Sequence, residues 1–335
     1  VGVAAPSRRR VLSFGEQNMS DDVTLSVRNV TKRFDGFTAV ESLSFDVRAG
    51  RVFGFLGPNG AGKTTTIRMI VGITAPDKGE IRYGFLKNGQ GSSQERIGYL
   101  PEERGLYKKM RIVDQLRYFA ELKGLGGSDA VKRIDSWLER MDLAEWRNKK
   151  TTDLSKGMQQ KIQFISTVVH DPDLLVLDEP FSGLDPVNVE FMIEVLDEIK
   201  ARGKTIIFST HLMETAERLC NDIILINKSR KVLGGSLREV KEAYGTNLIA
   251  FRGTNAAAVL ADRSLIAKVV SHSDEQELHL APGITSGSLL VALIGAGTSI
   301  SKFEVKEPSL NDIFIEKVGG VPSNADAAAR AVTPV

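Results

Sequence analysis

Two hydrophobic rhythms run along the chain. Val23, Leu25 and Val27 alternate with Thr24, Ser26 and Arg28, and Leu43, Phe45 and Val47 repeat the alternation over 43–48. Apolar-in, polar-out alternation predicts strands buried on one face, here an N-terminal antiparallel β subdomain. Later runs are apolar nearly throughout: residues 52–56, 174–177, 205–209 and 223–226, with a shorter strand at 97–100. Such runs predict strands covered on both faces, as in a parallel sheet. Between them the spacing becomes helical. Residues 65–71 precede Gly72; Ile112, Leu116 and Phe119 share one face; Ser128 is a candidate N-cap before Val131, Ile134, Leu138 and Met141. Met158, Ile162, Ile165 and Val169 form another stripe, and Met192, Val195, Leu196 and Ile199 a further one over 187–202. Strands alternating with helices predict an α/β fold around a mostly parallel sheet, with a helical insertion at about 103–170.

Near Tyr244 and Gly245 the character changes. Residues 244–320 predict a small C-terminal α+β domain, with strands near 248–252, 266–272, 276–281, 288–294 and 302–306. Helices are expected near 254–262 and 309–317. The reading is therefore a disordered extension at 1–21, a main domain at 22–243, an accessory domain at 244–320 and a disordered Ala- and Pro-rich tail at 321–335. Met19 is a candidate natural start, which N-terminal peptide mass spectrometry would test.

Composition narrows the class. A chain of 335 residues suggests two domains. A net charge of +2 gives no field for nucleic acid, and the run Arg8, Arg9, Arg10 reads as a solvated arm. One cysteine, Cys220, excludes an internal disulfide and fits a reducing compartment, with packing as its role. No stretch approaches the ~18 consecutive apolar residues of a membrane span. Val11–Phe14 is too short for the apolar core of a signal peptide. The expectation is a cytoplasmic protein that reaches a membrane only through a partner.

The chemistry centres on Gly57, Pro58, Asn59, Gly60, Ala61, Gly62, Lys63 and Thr64. A strand, a glycine loop, Lys-Thr and a helix form a phosphate-binding P-loop in its required context. Glycines let main-chain N–H groups close on an anion, and the helix that begins through Thr65 adds unpaired N–H groups and its positive dipole end. Lys63 is expected to reach the β- and γ-phosphates of a nucleoside triphosphate, and the Thr64 hydroxyl to ligate Mg²⁺. Asp178 and Glu179 close an apolar strand at its carboxyl end, where open α/β sheets bind ligands. Asp178 would hold Mg²⁺, and Glu179 would accept a proton from the attacking water. His211 follows another strand at the same edge; His170, His272 and His279 have no such placement. Phe34 and Phe37 flank Asp35-Gly36; the pattern favours a small local core, with stacking on adenine as the alternative. Ser155 reads as an N-cap, or with Gly157 as a second anion-binding helix end.

Taken together, residues 22–243 resemble the nucleotide-binding subunit of an ATP-binding cassette transporter. The motifs stand in family order: the P-loop at 57–64, the signature at 154–159, the Walker B strand at 174–179, the loop at 182–185 and His211. The C-terminal part, with Phe303 to Leu310, Ile313 and Phe314, resembles the accessory domain of some bacterial ABC-2-type exporter ATPases. The resemblance implies that Phe34 stacks on adenine and that Ser155 and Gly157 bind the γ-phosphate held by an opposite subunit. It further implies that Asp185 links two sites and that His211 contacts the γ-phosphate. A head-to-tail homodimer, ATP with Mg²⁺, a separate permease and peripheral attachment to the inner membrane face follow. Two departures stand out. Lys156 and Met158 replace a glycine and a glutamine of the signature, and Glu102 takes the place of a Mg²⁺-ligating glutamine. The other class of function weighed is a soluble cassette ATPase acting on ribosomes or DNA. Neither the tandem cassettes nor the long coiled coil of those proteins occurs in this sequence.

Overall fold

The computed structural model describes residues 22–86, 93–103, 105–244, 248–271 and 275–318. The expectations for 1–21, Met19, the arginine run, His272 and 321–335 lie outside the described residues. The chain begins with a hairpin, β1 (Val23–Phe34) and β2 (Phe37–Arg48). Its turn is Asp35-Gly36, both with positive φ (36° and 84°), the mirror-image turn whose twist matches the flanking strands. Next come β3 (Val52–Leu56), α1 (Lys63–Ile70), β4 (Lys78–Tyr83), a single helical turn α2 (Ser93–Arg96) and β5 (Ile97–Leu100). Then follow α3 (Ile112–Leu122), α4 (Gly127–Arg140), α5 (Lys156–Val168), β6 (Leu174–Asp178), α6 (Pro186–Ala201), β7 (Thr205–Thr210) and α7 (Met213–Leu219). The rest is β8 (Asp222–Asn227), β9 (Arg230–Ser236), α8 (Leu237–Ala243), β10 (Leu248–Thr254), α9 (Ala257–Ala261), β11 (Ile266–Ser271), β12 (Gln276–Leu280), α10 (Ser286–Gly295), β13 (Ser299–Lys306) and α11 (Leu310–Val318).

The six-stranded central sheet runs β5-β6-β7-β3-β8-β9, parallel except for the β8–β9 hairpin at its edge. Its unbroken apolar runs have a direct cause. Leu175, Leu177, Ile206, Phe208, Ile223 and Leu225 point into a core shared with α3 to α7. Their neighbours Leu174, Val176, Ile207, Ile224 and Ile226 point the other way, into a core shared with β1, β2 and α1. Each successive side chain meets a different layer, so the strand interiors are apolar and polar residues are confined to the strand ends, as at Thr205, Ser209, Thr210 and Asp178. Gly54 sits inside β3 because a Cβ there would press on the buried Sγ of Cys220.

β1, β2 and β4 form a separate antiparallel sheet in the order β2-β1-β4. The third sheet, β11-β12-β10-β13, is antiparallel throughout and packs Ile249, Phe251, Leu278, Leu289 and Leu293 into its own core. Here one expectation is corrected: residues 288–294 are helix, not strand. A capping box between Thr285 and Ser288 starts α10, and Leu289 and Leu293, four apart, fill the core. Six consecutive apolar residues fit either element, and the cap decided it. A second correction is that α4 begins at Gly127 with Gly126 as its cap, so Ser128 lies inside the first turn. The last helix leaves the small sheet. Leu310 and Ile313 of α11 enter the main core, and Glu217 of α7 accepts a hydrogen bond from the Leu310 N–H.

His170, just after α5, is held against titration. Burial pushes it down to about 4, and the Lys123 ammonium adds to the effect. A depressed folded-state value means that stability is complete above the unfolded value near 6.5 and is lost as pH falls toward 4. The loss should reach about 3 kcal/mol. Replacing His170 with Gln should remove that part of the pH dependence, read from denaturant melts at pH 7 and pH 5.

Candidate nucleotide site

Register brings three strand ends to one edge of the central sheet. Asp178 of β6 pairs with Ser209 of β7, and Thr210 of β7 pairs with Leu56 of β3. The loop 57–62, Glu179 and His211 therefore emerge side by side. The loop and Glu179 border a cavity of about 360 Å³ lined by Pro58, Asn59, Gly60, Gly62, Lys63, Thr64, Thr65, Glu102, Glu179, Phe37 and Ala39; His211 and Asp178 are outside the lining.

The loop's shape is set by glycine. Gly57, Gly60 and Gly62 all have positive φ (149°, 77° and 107°). A Cβ at Gly57 would strike the Ile226 carbonyl, and one at Gly62 the Ala39 carbonyl. Gly62 caps α1 without a side-chain hydrogen bond. The first-turn N–H groups therefore face the cavity with no intrahelical acceptor, a ready anion cradle. Lys63 is buried beneath them. Its ammonium donates to the Gly57 carbonyl at 2.8 Å and lies 3.4 Å from Glu179 Oε1.

Glu179 is held in a strained posture. It is a non-glycine residue with φ of 49°, buried to 8% exposure. That conformation costs of order 1–3 kcal/mol and persists only where the surroundings over-determine it. Here they do: the Glu179 N–H donates to Ser209 Oγ at 3.0 Å, and Nδ1 of His211 lies 3.1 Å from both carboxylate oxygens. Ser209 Oγ in turn donates to Asp178 Oδ1 at 2.5 Å. Burial first, and the Glu179 charge second, raise the Asp178 carboxyl above its usual range, opposed by the Ser209 hydroxyl. Asp178 Oδ2 is buried and has no hydrogen-bond partner among the described residues. A spare buried carboxylate oxygen near the Thr64 hydroxyl, with Glu102 at the rim, is a donor set that fits a hard divalent cation such as Mg²⁺.

Not every expected residue joins this cluster. The reading of Phe34 and Phe37 as a small core is wrong, since both rings are exposed (47% and 60%). They face each other across the hairpin; Phe37 lines the cavity, whereas Phe34 lies under the Lys32 ammonium at 5.3 Å and is not in the lining. Ser155 caps α5 by accepting from the Met158 N–H, as read, and Asp185 caps α6 by accepting from the Asn188 N–H. Ser155, Gly157 and Asp185 are outside the cavity lining of this chain. Sequence reasoning missed Ser209, which braces Asp178 and Glu179 together. It also missed Gln160 and Gln163 of α5, both buried, which bond to the loops that follow β6 and β5. Polar residues inside an apolar helix stripe were the one available signal.

A P-loop between a buried parallel strand and a helix, with paired carboxylates two strands away, defines a P-loop ATPase. Comparison with known proteins narrows the class. Residues 40–182 match the ABC transporter family, and residues 235–318 match the C-terminal domain of ATP-binding proteins of the DrrA1-3-like type. The chain is 46% identical to the uncharacterized ABC transporter ATP-binding protein YhaQ of Bacillus subtilis, over 89% of this chain and 99% of that protein. It is 34% identical to the Nod factor export ATP-binding protein I of Burkholderia lata, over 88% and 97%. A solved ATP-binding subunit of an ABC transporter superposes with a TM-score of 0.62 at 30% identity, covering 66% of this chain and 93% of that one. The protein belongs to the ATP-binding cassette transporter family as an ATP-binding, ATP-hydrolysing subunit.

The glycines of the loop should not be equivalent. Gly57→Ala and Gly62→Ala should each cost about 3 kcal/mol or more, combining left-handed strain with a backbone clash. Gly60→Ala, with open space around its Cβ, should cost about 1 kcal/mol. Chemical denaturation of the three variants checks the order.

Proposed function

We propose that this subunit powers export through a separate ABC-2-type membrane permease, working as a head-to-tail homodimer that closes on ATP. The observation that carries the dimer is the split between the cavity lining and α5. Each chain has a P-loop cradle, and Ser155 and Gly157 stand at a helix end away from it. In the proposed dimer the α5 end of one copy completes the γ-phosphate site of the other. Export is supported by likeness to relatives named Nod factor export ATP-binding protein I. No helix among the described residues is long and apolar enough to cross a membrane, in keeping with a separate permease and peripheral attachment at the inner face. The division into a main unit at 22–243 and an accessory unit at 244–320 is part of this reading, supported by the separate core of the second sheet system.

The geometry supports a role for each residue. Lys63 and the N–H groups of the loop neutralise the β- and γ-phosphates. Thr64, Asp178 and Glu102 would hold Mg²⁺, which when bound spreads the charge of the transferring phosphoryl group. Glu179 takes the proton of the attacking water, and His211 fixes the carboxylate's orientation from its other side. The aromatic stacked on adenine comes from the hairpin tip, Phe34 by resemblance or Phe37 by its position in the lining. The permease docks at 102–107 and the neighbouring helices. Tyr107, Tyr118 and Leu122 expose apolar surface there, and Tyr107 stacks with Phe119 at 6.0 Å.

Glu179→Gln should bind ATP, lose turnover and accumulate dimer on size exclusion; hydrolysis near the parental rate would remove Glu179 as the base. Lys63→Ala should instead weaken nucleotide binding at least tenfold in an equilibrium titration. Crosslinks from a co-purified permease should map to 102–122; crosslinks confined to 248–318 would refute that docking site.

A further inference from the structure

We infer that Gln160 and Gln163 are positioning residues that tie the partner-facing helix α5 to the chain's own catalytic loops. The inference rests on the head-to-tail reading above and deepens it. Gln163 Nε2 donates to the carbonyls of Pro101 (3.3 Å) and Glu103 (3.2 Å), the residues on either side of Glu102. Gln160 Nε2 donates to the carbonyl of Pro180 (3.4 Å), the residue after Glu179. Three residues apart, the two amides share one face of the helix.

The three carbonyls lie just beyond the ends of β5 and β6, where the sheet ladder has stopped. The amides of α5 take over from the missing strand partners. They do so at the two strands whose continuations carry Glu102 and Glu179. Gln163 is buried, which costs desolvation of its amide, and its Oε1 has no hydrogen-bond partner among the described residues. An apolar side chain would fill that space without this penalty, so packing alone gives no reason for glutamine at 163. Thr167 Oγ1 adds a further tie, donating to the Tyr99 carbonyl of β5 at 3.3 Å.

Ser155 lies about 8 to 12 Å along the helix axis from these two amides, at 1.5 Å per residue. A helix moves as a rigid body over that span. When the α5 end engages the nucleotide of the second copy, the displacement reaches Glu102 through Gln163 and Glu179 through Gln160. Hydrolysis in one site then depends on occupancy of the other, and ATP saturation of the dimer is sigmoidal.

The test uses the full chain with Gln163→Met and Gln160→Met, which keep length and remove the donor. Four measurements are made: melting temperature, affinity for a fluorescent ATP analogue with Mg²⁺, ATP-driven dimerisation in the Glu179→Gln background, and ATPase rate against ATP concentration. The expected result is melting temperature, affinity and dimerisation close to parental, kcat reduced about tenfold, and a Hill coefficient lowered to about 1. Unchanged kcat and Hill coefficient in both variants overturn the inference, as does a loss of rate that only follows a loss of melting temperature. If Gln163→Met does not fold, Gln160→Met alone gives the same reading. If Glu179→Gln itself fails to dimerise with ATP, it is the head-to-tail reading that falls, whatever the amide variants do.

Discussion

Lys63 is 6% exposed, and an ammonium at that depth requires anionic or carbonyl partners on every side. It has the Gly57 and Pro58 carbonyls below and the Glu179 carboxylate beside it. Every other feature of the site serves that arrangement. The glycines bring the loop carbonyls under the amine. The register of β3 against β7, and of β7 against β6, fixes how far Glu179 stands from it. In the proposed mechanism a triphosphate entering the cradle competes with Glu179 for the same ammonium. It thereby frees the carboxylate for the water it is proposed to deprotonate.

Such a contest needs a frame that does not yield. The central sheet supplies it, since alternate residues of β6, β7 and β8 are locked into two different cores. Sliding any strand by one position would exchange every side chain between the two. The frame is more than the main unit. Leu310 and Ile313 anchor α11 of the C-terminal part against α7, the helix that follows His211. The C-terminal part is therefore joined through α11 to the main core, and removal of that helix would expose core residues of the ATPase itself.

The P-loop, the strand carrying Asp178 and Glu179, and His211 were legible in the sequence because their constraints are local. Glycines with forced φ, an apolar run and a strand end each declare themselves within about ten residues. Edge elements were less legible. β4 (Lys78–Tyr83) and β9 (Arg230–Ser236) went unpredicted, since one carries only Ile81 and Tyr83 as apolar signal and the other ends in two glycines and a serine. Each is defined by its partner strand instead. The same holds for Ser209, which is read correctly as strand but braces a carboxylate 31 positions earlier in the chain. Gln163 holds carbonyls about sixty residues away, beyond the reach of any periodicity. At the hairpin tip the difficulty was of another kind. Two phenylalanines around Asp-Gly fit a miniature core as well as an exposed platform, and only the tertiary surroundings distinguish them.

Charge gives the departure at Glu102 a physical sense. Glu179 and Glu102 line the cavity together with the Lys63 ammonium, and the buried Asp178 carboxyl at the end of β6 makes a third acid. A glutamine at 102 would leave two, so this chain asks more of its cation. A doubly charged ion together with Lys63 would neutralise the three acids and leave little positive charge over for the triphosphate. The remaining stabilisation must then come from main-chain N–H groups and helix dipoles, those of α1 and, in the proposed dimer, those of the α5 end of the second copy. In that arrangement Lys156, where the signature otherwise has glycine, adds a cation in the first turn of the lent helix. In the proposed dimer the acidic residue on one copy and the basic residue on the other would be two halves of a single electrostatic adjustment, made across the interface where the nucleotide would be held.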